Sequence, residues 1–130
     1  MLFGDIPLII GVLQFELVIH DSQSLKDKRS VVRSVKDRLH REHQVSVAEV
    51  AAQDMLNVAV LALALVGTDG RYVGQTLDRI TEKLRSLHGA ELGSITRQLL
   101  KGEAYENADE PLDEESLAQE MLDRASEVRP

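Results

Sequence analysis

Three groups of residues carry types and spacings that could do chemistry. His40-Arg41-Glu42-His43 sets two imidazoles three residues apart, a spacing that can hold a metal on one side of a helix. No third histidine or convergent carboxylate accompanies them, and charged surface types lie between, so the string reads as a solvated helix end. Gly67-Thr68-Asp69-Gly70 has the glycine spacing of loops that cradle phosphate. Asp69 would repel an anion there and no Lys-Ser/Thr follows, which makes it a strand-to-helix turn. The third group is basic. Lys26, Arg29, Arg33 and Lys36 recur at intervals of three and four, with Lys28, Arg38 and Arg41 between them. Cations at that spacing form one stripe on a helix, which suits a row of phosphates.

Composition removes several classes of chemistry. The chain has 130 residues, enough for one domain with a core, and 43% of them are hydrophobic. It has no cysteine, hence no disulfide, thiolate metal site or thiol nucleophile. No serine sits in a nucleophile elbow and no pair of carboxylates has a catalytic spacing, so no enzymatic activity, small-molecule substrate, cofactor or metal is expected. The apolar N-terminus lacks a basic stretch and is broken by Asp5 and Pro7, unlike a signal peptide. Nine apolar residues at 58–66 are too few for the roughly 20 of a membrane span, and no membrane partner is expected. The net charge of -7 is uneven. Residues 1–101 hold 13 Lys+Arg and 12 Asp+Glu, whereas residues 102–130 hold 2 and 10. The chain is read as a near-neutral domain over 1–101 followed by an acidic tail over 102–130.

The stripe needs a scaffold, and residues 58–66, V-A-V-L-A-L-A-L-V, organise it. Leucines alternate with alanines at period two, which predicts a strand apolar on both faces, central in its sheet. Residues 8–20 predict another strand, with Leu13, Phe15, Leu17 and Ile19 on its buried face. Ser24 followed by Asp27 is a capping-box start for a helix over 24–43, with Leu25, Val32, Val35 and Leu39 inward and the Lys28 stem lying along them. Residues 45–50 predict a short strand. Residues 71–88 predict a second helix on Val73, Leu77, Ile80, Leu84 and Leu87, closed by Gly89. Residues 91–100 predict a weaker strand, whose Gly93 points to an edge or a bulge. The order βαββαβ, with right-handed crossovers, gives an α+β, ferredoxin-like sandwich: an antiparallel four-stranded sheet of order 4-1-3-2 with both helices on one face.

That arrangement leaves one sheet face without helices. Val12 and Val18 of the first strand would lie there beside Val58, Val60, Ala62 and Ala64. A patch of this kind is large for a soluble monomer, so a second copy or the tail is expected to cover it. In the tail, residues 103–110 read as linker. Pro111 could open a short helix over 112–127, with Leu117, Met121 or Leu122, and Ala125 in a narrow apolar stripe.

Leu8-Ile-Ile-Gly-Val-Leu opening a strand, Ser24-Leu-Lys-Asp-Lys-Arg opening a helix, Val45-Ser-Val-Ala-Glu-Val, and Gln53-Asp54 before the central strand together resemble the bacterial YlxP-like family, a domain of unknown function. The resemblance spans roughly residues 8–101 and leaves out the tail. It implies a cytoplasmic bacterial protein of ferredoxin-like fold, and the family's gene neighbourhoods imply ribosome or RNA association. It supplies no catalytic residues. The expectation is a non-enzymatic, RNA- or ribosome-associated accessory protein contacting phosphates through Lys26, Lys28, Arg29, Arg33, Lys36, Arg38 and Arg41. The alternative is a protein-interaction module acting as a homodimer through the open sheet face.

Overall fold

The structure, a computed structural model, describes residues 7–102 together with Glu115, Ala118, Gln119 and Leu122. The elements run β1 (Ile9–Val18), α1 (Leu25–His43), β2 (Ser46–Ala51), β3 (Val58–Gly67), α2 (Gly70–Arg85) and β4 (Glu91–Lys101). The expected linker at 103–110 and helix over 112–127 lie outside the described residues, save for the four tail residues named.

β3 is a strand, and it is central. It pairs antiparallel with β1 on one side and β2 on the other, in a sheet of order β2-β3-β1-β4. That is the expected order read from the other edge. Leu61, Leu63 and Leu65 of β3 are buried with Leu13, Phe15 and Leu17 of β1. Against them pack Val32, Val35 and Leu39 of α1 and Val73, Leu77, Ile80 and Leu84 of α2, all in one core. The buried strand residues share one parity, so both helices cover the same face. Gly11 makes room for α2: a Cβ there would stand 2.6 Å from Val73 Cγ1.

The helix starts follow from local side-chain hydrogen bonds. Ser24 Oγ accepts from Asp27 N at 3.1 Å, and Asp27 Oδ2 accepts from Gln23 N at 3.2 Å, satisfying donors that the first turn leaves open. α1 ends where Gln44 turns left-handed (φ 56), its N–H donating to His40 O. Asp69 caps α2 through Arg71 N at 2.9 Å. The other end of α2 departs from the sequence reading. The helix stops at Arg85, not His88: Ser86 leaves helical geometry as the C-cap, its N–H donates to the Lys83 carbonyl, and its hydroxyl donates to the Glu82 and Lys83 carbonyls of the last turn. Gly89 takes its positive φ of 84 in the loop that leads to β4 rather than at the helix end.

β4 is an edge strand and also carries a bulge. Phe15 faces Ile95 but Leu17 faces Leu92, so an extra residue at Gly93-Ser94 stands opposite Glu16. The Glu16 carboxylate lies over Gly93, where a Cβ would come within 2.6 Å of Oε1.

Lys28 corrects the sequence reading. Its side chain is buried, 1% exposed, so it cannot reach a phosphate. Nζ lies 3.0 Å from Glu49 Oε2 of β2 and donates to the Ala52 carbonyl. Glu49 Oε2 is itself buried and has no aligned hydrogen bond, so charge alone ties it to the ammonium. Ala52 holds a left-handed φ of 61, a conformation that costs an alanine about 1 kcal/mol. Its carbonyl also accepts from Met55 N at 3.0 Å, so Lys28 anchors the β2–β3 turn. Breaking such a pair strands a buried charge. Lys28→Ala should cost about 3 kcal/mol in urea denaturation, and joining Lys28→Met to Glu49→Leu should recover most of it.

Candidate nucleic-acid interface

α1 sorts its seven basic residues by geometry. The buried Lys28, Val32, Val35 and Leu39 mark its inner face. At 3.6 residues per turn, Lys26, Arg29, Arg33 and Lys36 fall on one flank, about 70–150° round the axis from that face. Lys26, Arg29 and Arg33 are exposed and Lys36 is half-buried. Among the described residues none of these four has an ion-pair partner. The flank overlooks β2. Lys36 and His40 line an open groove of about 450 Å³ with Val45, Ser46 and Val47. His40 Nδ1 sits 3.0 Å from the Val45 carbonyl, fixing the ring across the corner between helix and strand.

The remaining cations point elsewhere. Arg41 is exposed on the outer side of α1. Arg38 falls on the opposite flank, toward α2, where its Nε lies 2.9 Å from Glu42 Oε1. The structure therefore brings together four of the seven expected contacts, buries one and turns two away.

That second flank holds a network linking residues about 40 positions apart. Lys83 Nζ of α2 donates to Glu42 Oε2 and to His43 Nε2, each at 2.8 Å. Hydrogen bonds from Lys83 first and Arg38 second bring the Glu42 carboxyl down to about 2. His43 can accept from an ammonium only as the neutral ring with its proton on Nδ1. Burial first, then the Lys83 charge, pushes its imidazole below the usual range; Glu42 opposes them, and Arg79 and Arg38 add to them. His40 and His43 thus serve separate structural partners.

The Gly67-Thr68-Asp69-Gly70 loop takes no anion in this geometry. The Asp69 carboxylate already occupies the α2 N-terminus, on the Arg71 N–H.

The sheet face away from the helices is the other candidate surface. Val12 faces Ala64, Val18 faces Val58, and Glu16 faces Val60 across the β1–β3 pair; Gln14 faces Ala62. Val12, Val18, Val58, Val60, Ala62 and Ala64 are all half-buried, whereas Val66 is 68% exposed. The face continues onto Ala48 of β2 and Thr96, Gln98 and Leu100 of β4, through their register with Ala62, Gln14, Val12 and Ile10. The six-residue expectation missed this extension, because a one-residue bulge decides which parity of β4 faces which way.

A histidine held neutral in the fold makes stability depend on pH. The folded His43 value lies below the unfolded 6.5, so its contribution is intact above pH 6.5 and falls away as pH drops through the folded value. The urea midpoint should therefore decrease from pH 7.5 to pH 5.5. His43→Gln, which keeps an acceptor but does not titrate, should flatten that decrease.

Among the described residues, no helix is long and apolar enough to cross a membrane. The chain is 29% identical over 89 residues to the uncharacterized protein YlxP of Bacillus subtilis (strain 168), covering 68% of this chain and 96% of that one. Among solved structures it is similar to a C-terminal segment of the alpha subunit of aIF2 from Pyrococcus abyssi, at 19% identity and a TM-score of 0.44. That match covers 75% of this chain and 52% of the other, so the chain spans about half of it. It is also similar to a variant of SnoaB, a cofactor-independent oxygenase from Streptomyces nogalater, at 18% identity and a TM-score of 0.40, covering 83% and 99% of the two chains. The family model described as a protein of unknown function (DUF503) matches residues 10–97, the span from β1 into β4 that builds both surfaces, and the chain belongs to that family.

Proposed function

We propose that the protein is a non-enzymatic, cytoplasmic accessory factor of ferredoxin-like fold that contacts RNA, alone or on the ribosome, through phosphates. The observation that carries this reading is the one flank shared by Lys26, Arg29, Arg33 and Lys36, none of which forms an ion pair with a described acid. Cations three and four apart stand about 5–6 Å from one another along a helix, a spacing close to that of successive phosphates. Few aromatic side chains are present, only Phe3, Phe15, Tyr72 and Tyr105. Phe15 is buried in the core. Stacking on unpaired bases is therefore a weak contribution, and structured RNA gripped by its backbone fits better. Four phosphate contacts on a duplex make affinity fall about 10-fold or more for a few-fold rise in salt. Arg29→Glu with Arg33→Glu should abolish binding in a filter or fluorescence-anisotropy titration. Binding that survives those changes with a flat salt response would end the reading.

The open sheet face favours a second reading, a protein-interaction module acting as a homodimer. Its valines and alanines form an apolar strip along β3, half-buried except at Val66. Strands of 10, 6, 10 and 11 residues present very roughly 600 Å² per copy, at the low end of stable interfaces. Val60→Asp with Ala62→Asp should convert the dimer to monomer in light scattering. A wild-type chain that stays monomeric at high micromolar concentration counts against the dimer.

A further inference from the structure

The groove between α1 and β2 holds groups that a phosphate contact does not use. One wall is α1, where Lys36 continues the basic flank; the other is β2, which carries no Lys or Arg. Two acceptors accompany Lys36 on the helix wall. Asp37 lines the groove, and its carboxylate forms no ion pair with a described cation, although Arg33 and Arg41 lie one turn away on either side. His40 is the second. Its Nδ1 lies 3.0 Å from the Val45 carbonyl, which can only accept, so Nδ1 carries the proton and the neutral ring keeps Nε2 as an acceptor. The corner is fixed on its other side too: Gln44, left-handed at φ 56, donates its N–H to the His40 carbonyl at 2.9 Å. Gln44 and Ser46 add an amide and a hydroxyl to the lining, groups that accept as well as donate.

A phosphodiester offers acceptors only. A carboxylate repels it, and an unprotonated ring nitrogen gives it nothing. Both groups suit a hydroxyl that donates. Lys36, Asp37 and His40 are neighbours on one helix surface, about 5–6 Å apart, so the matching ligand carries an anion and a hydroxyl donor at that separation. A ribose of RNA does, with its 2′-hydroxyl near its phosphate. We infer that the groove receives one ribose of the bound RNA strand, Lys36 holding the phosphate while Asp37 and His40 accept from the 2′-hydroxyl. The groove, of about 450 Å³, has room for a sugar with its phosphate. Val47, half-buried on the β2 wall, offers an apolar contact to the carbon face of the sugar. The inference rests on the phosphate-contact reading and gives it what a row of cations lacks, a means of telling RNA from an equally charged chain.

The test compares two probes on the full chain by fluorescence anisotropy at one salt concentration. One is a short RNA duplex. The other is the same duplex with fluorine in place of every 2′-hydroxyl, which keeps the charge and the A-form shape but cannot donate. Wild type should bind the RNA about tenfold tighter than the fluoro duplex. Asp37→Ala, an exposed helix position that tolerates alanine, should bring that ratio close to one. Arg33→Gln should weaken both probes and leave the ratio alone. Equal binding of the two probes by wild type overturns the ribose contact and leaves the phosphate-contact reading standing. A preference for RNA that survives Asp37→Ala overturns the ribose contact in this groove, as does an equal tightening of both probes with their ratio kept, which marks Asp37 as a carboxylate that only repels phosphate. Binding of neither probe overturns the phosphate-contact reading and the ribose contact with it.

Discussion

The two apolar faces of β3 constrain everything else. A strand with leucine on one side and alanine or valine on the other suits a place between two neighbours, which pair both edges of its backbone and shield its side chains from the flanks. With β1 and β2 beside it, the two crossover helices both fall on the leucine side. The other side then has only Val58, Val60, Ala62, Ala64 and Val66 to present. Their small size limits the exposed apolar area without abolishing it. The core and the open face are thus two results of one alternation, and neither can change without the other.

Position along α1 decides what a basic side chain can do. The helix carries cations on three sides: one is buried against Glu49, one is paired with Glu42, and those on the outer flank form no ion pair with a described acid. Lys28 shows why counting charges is insufficient. Its spacing with Val32, Val35 and Leu39 places it on the buried stripe, which the sequence reading used for its stem. The same spacing forbids its head group from joining the outer flank. What the pattern could not supply was the destination of the ammonium: Glu49, 21 residues on, and the carbonyl of a left-handed Ala52. The Ser24-Leu-Lys-Asp-Lys-Arg string is therefore largely a structural device. Ser24 and Asp27 cap the helix, Lys28 pins the hairpin, and Lys26 and Arg29 are the exposed members with no such structural partner.

Legibility followed the range of the interaction. Elements with a clean period, β1, α1 and β3, stand where alternation and capping residues put them, because those signals act within a few residues. The Gly93 bulge was legible because a glycine in a strand has few other uses. The end of α2 was not, because the helix caps on Ser86, three residues before the glycine that looked like its terminus, and nothing in the local pattern marks that serine as a stop. The Lys83–Glu42–His43 network left no local trace at all. Its members are ordinary surface residues until two helices meet, and helix meeting is set by the core rather than by those residues. Likewise the flank's separation from Arg38 and Arg41 follows from a helix angle that a list of basic positions obscures.

The two candidate surfaces lie on opposite sides of the sheet. The basic flank belongs to the helix layer, above β2, and the apolar strip lies beneath the strands. Helix and sheet layers are about 10 Å apart, so an occupant of one need not touch an occupant of the other. The phosphate-contact reading and the dimer reading are therefore compatible in space. Joined through the open faces, two copies would turn their flanks outward on opposite sides, too far apart for one short duplex to bridge. A dimer would then gather two separate RNA segments rather than grip one more tightly, because avidity requires both sites to be reached by the same ligand.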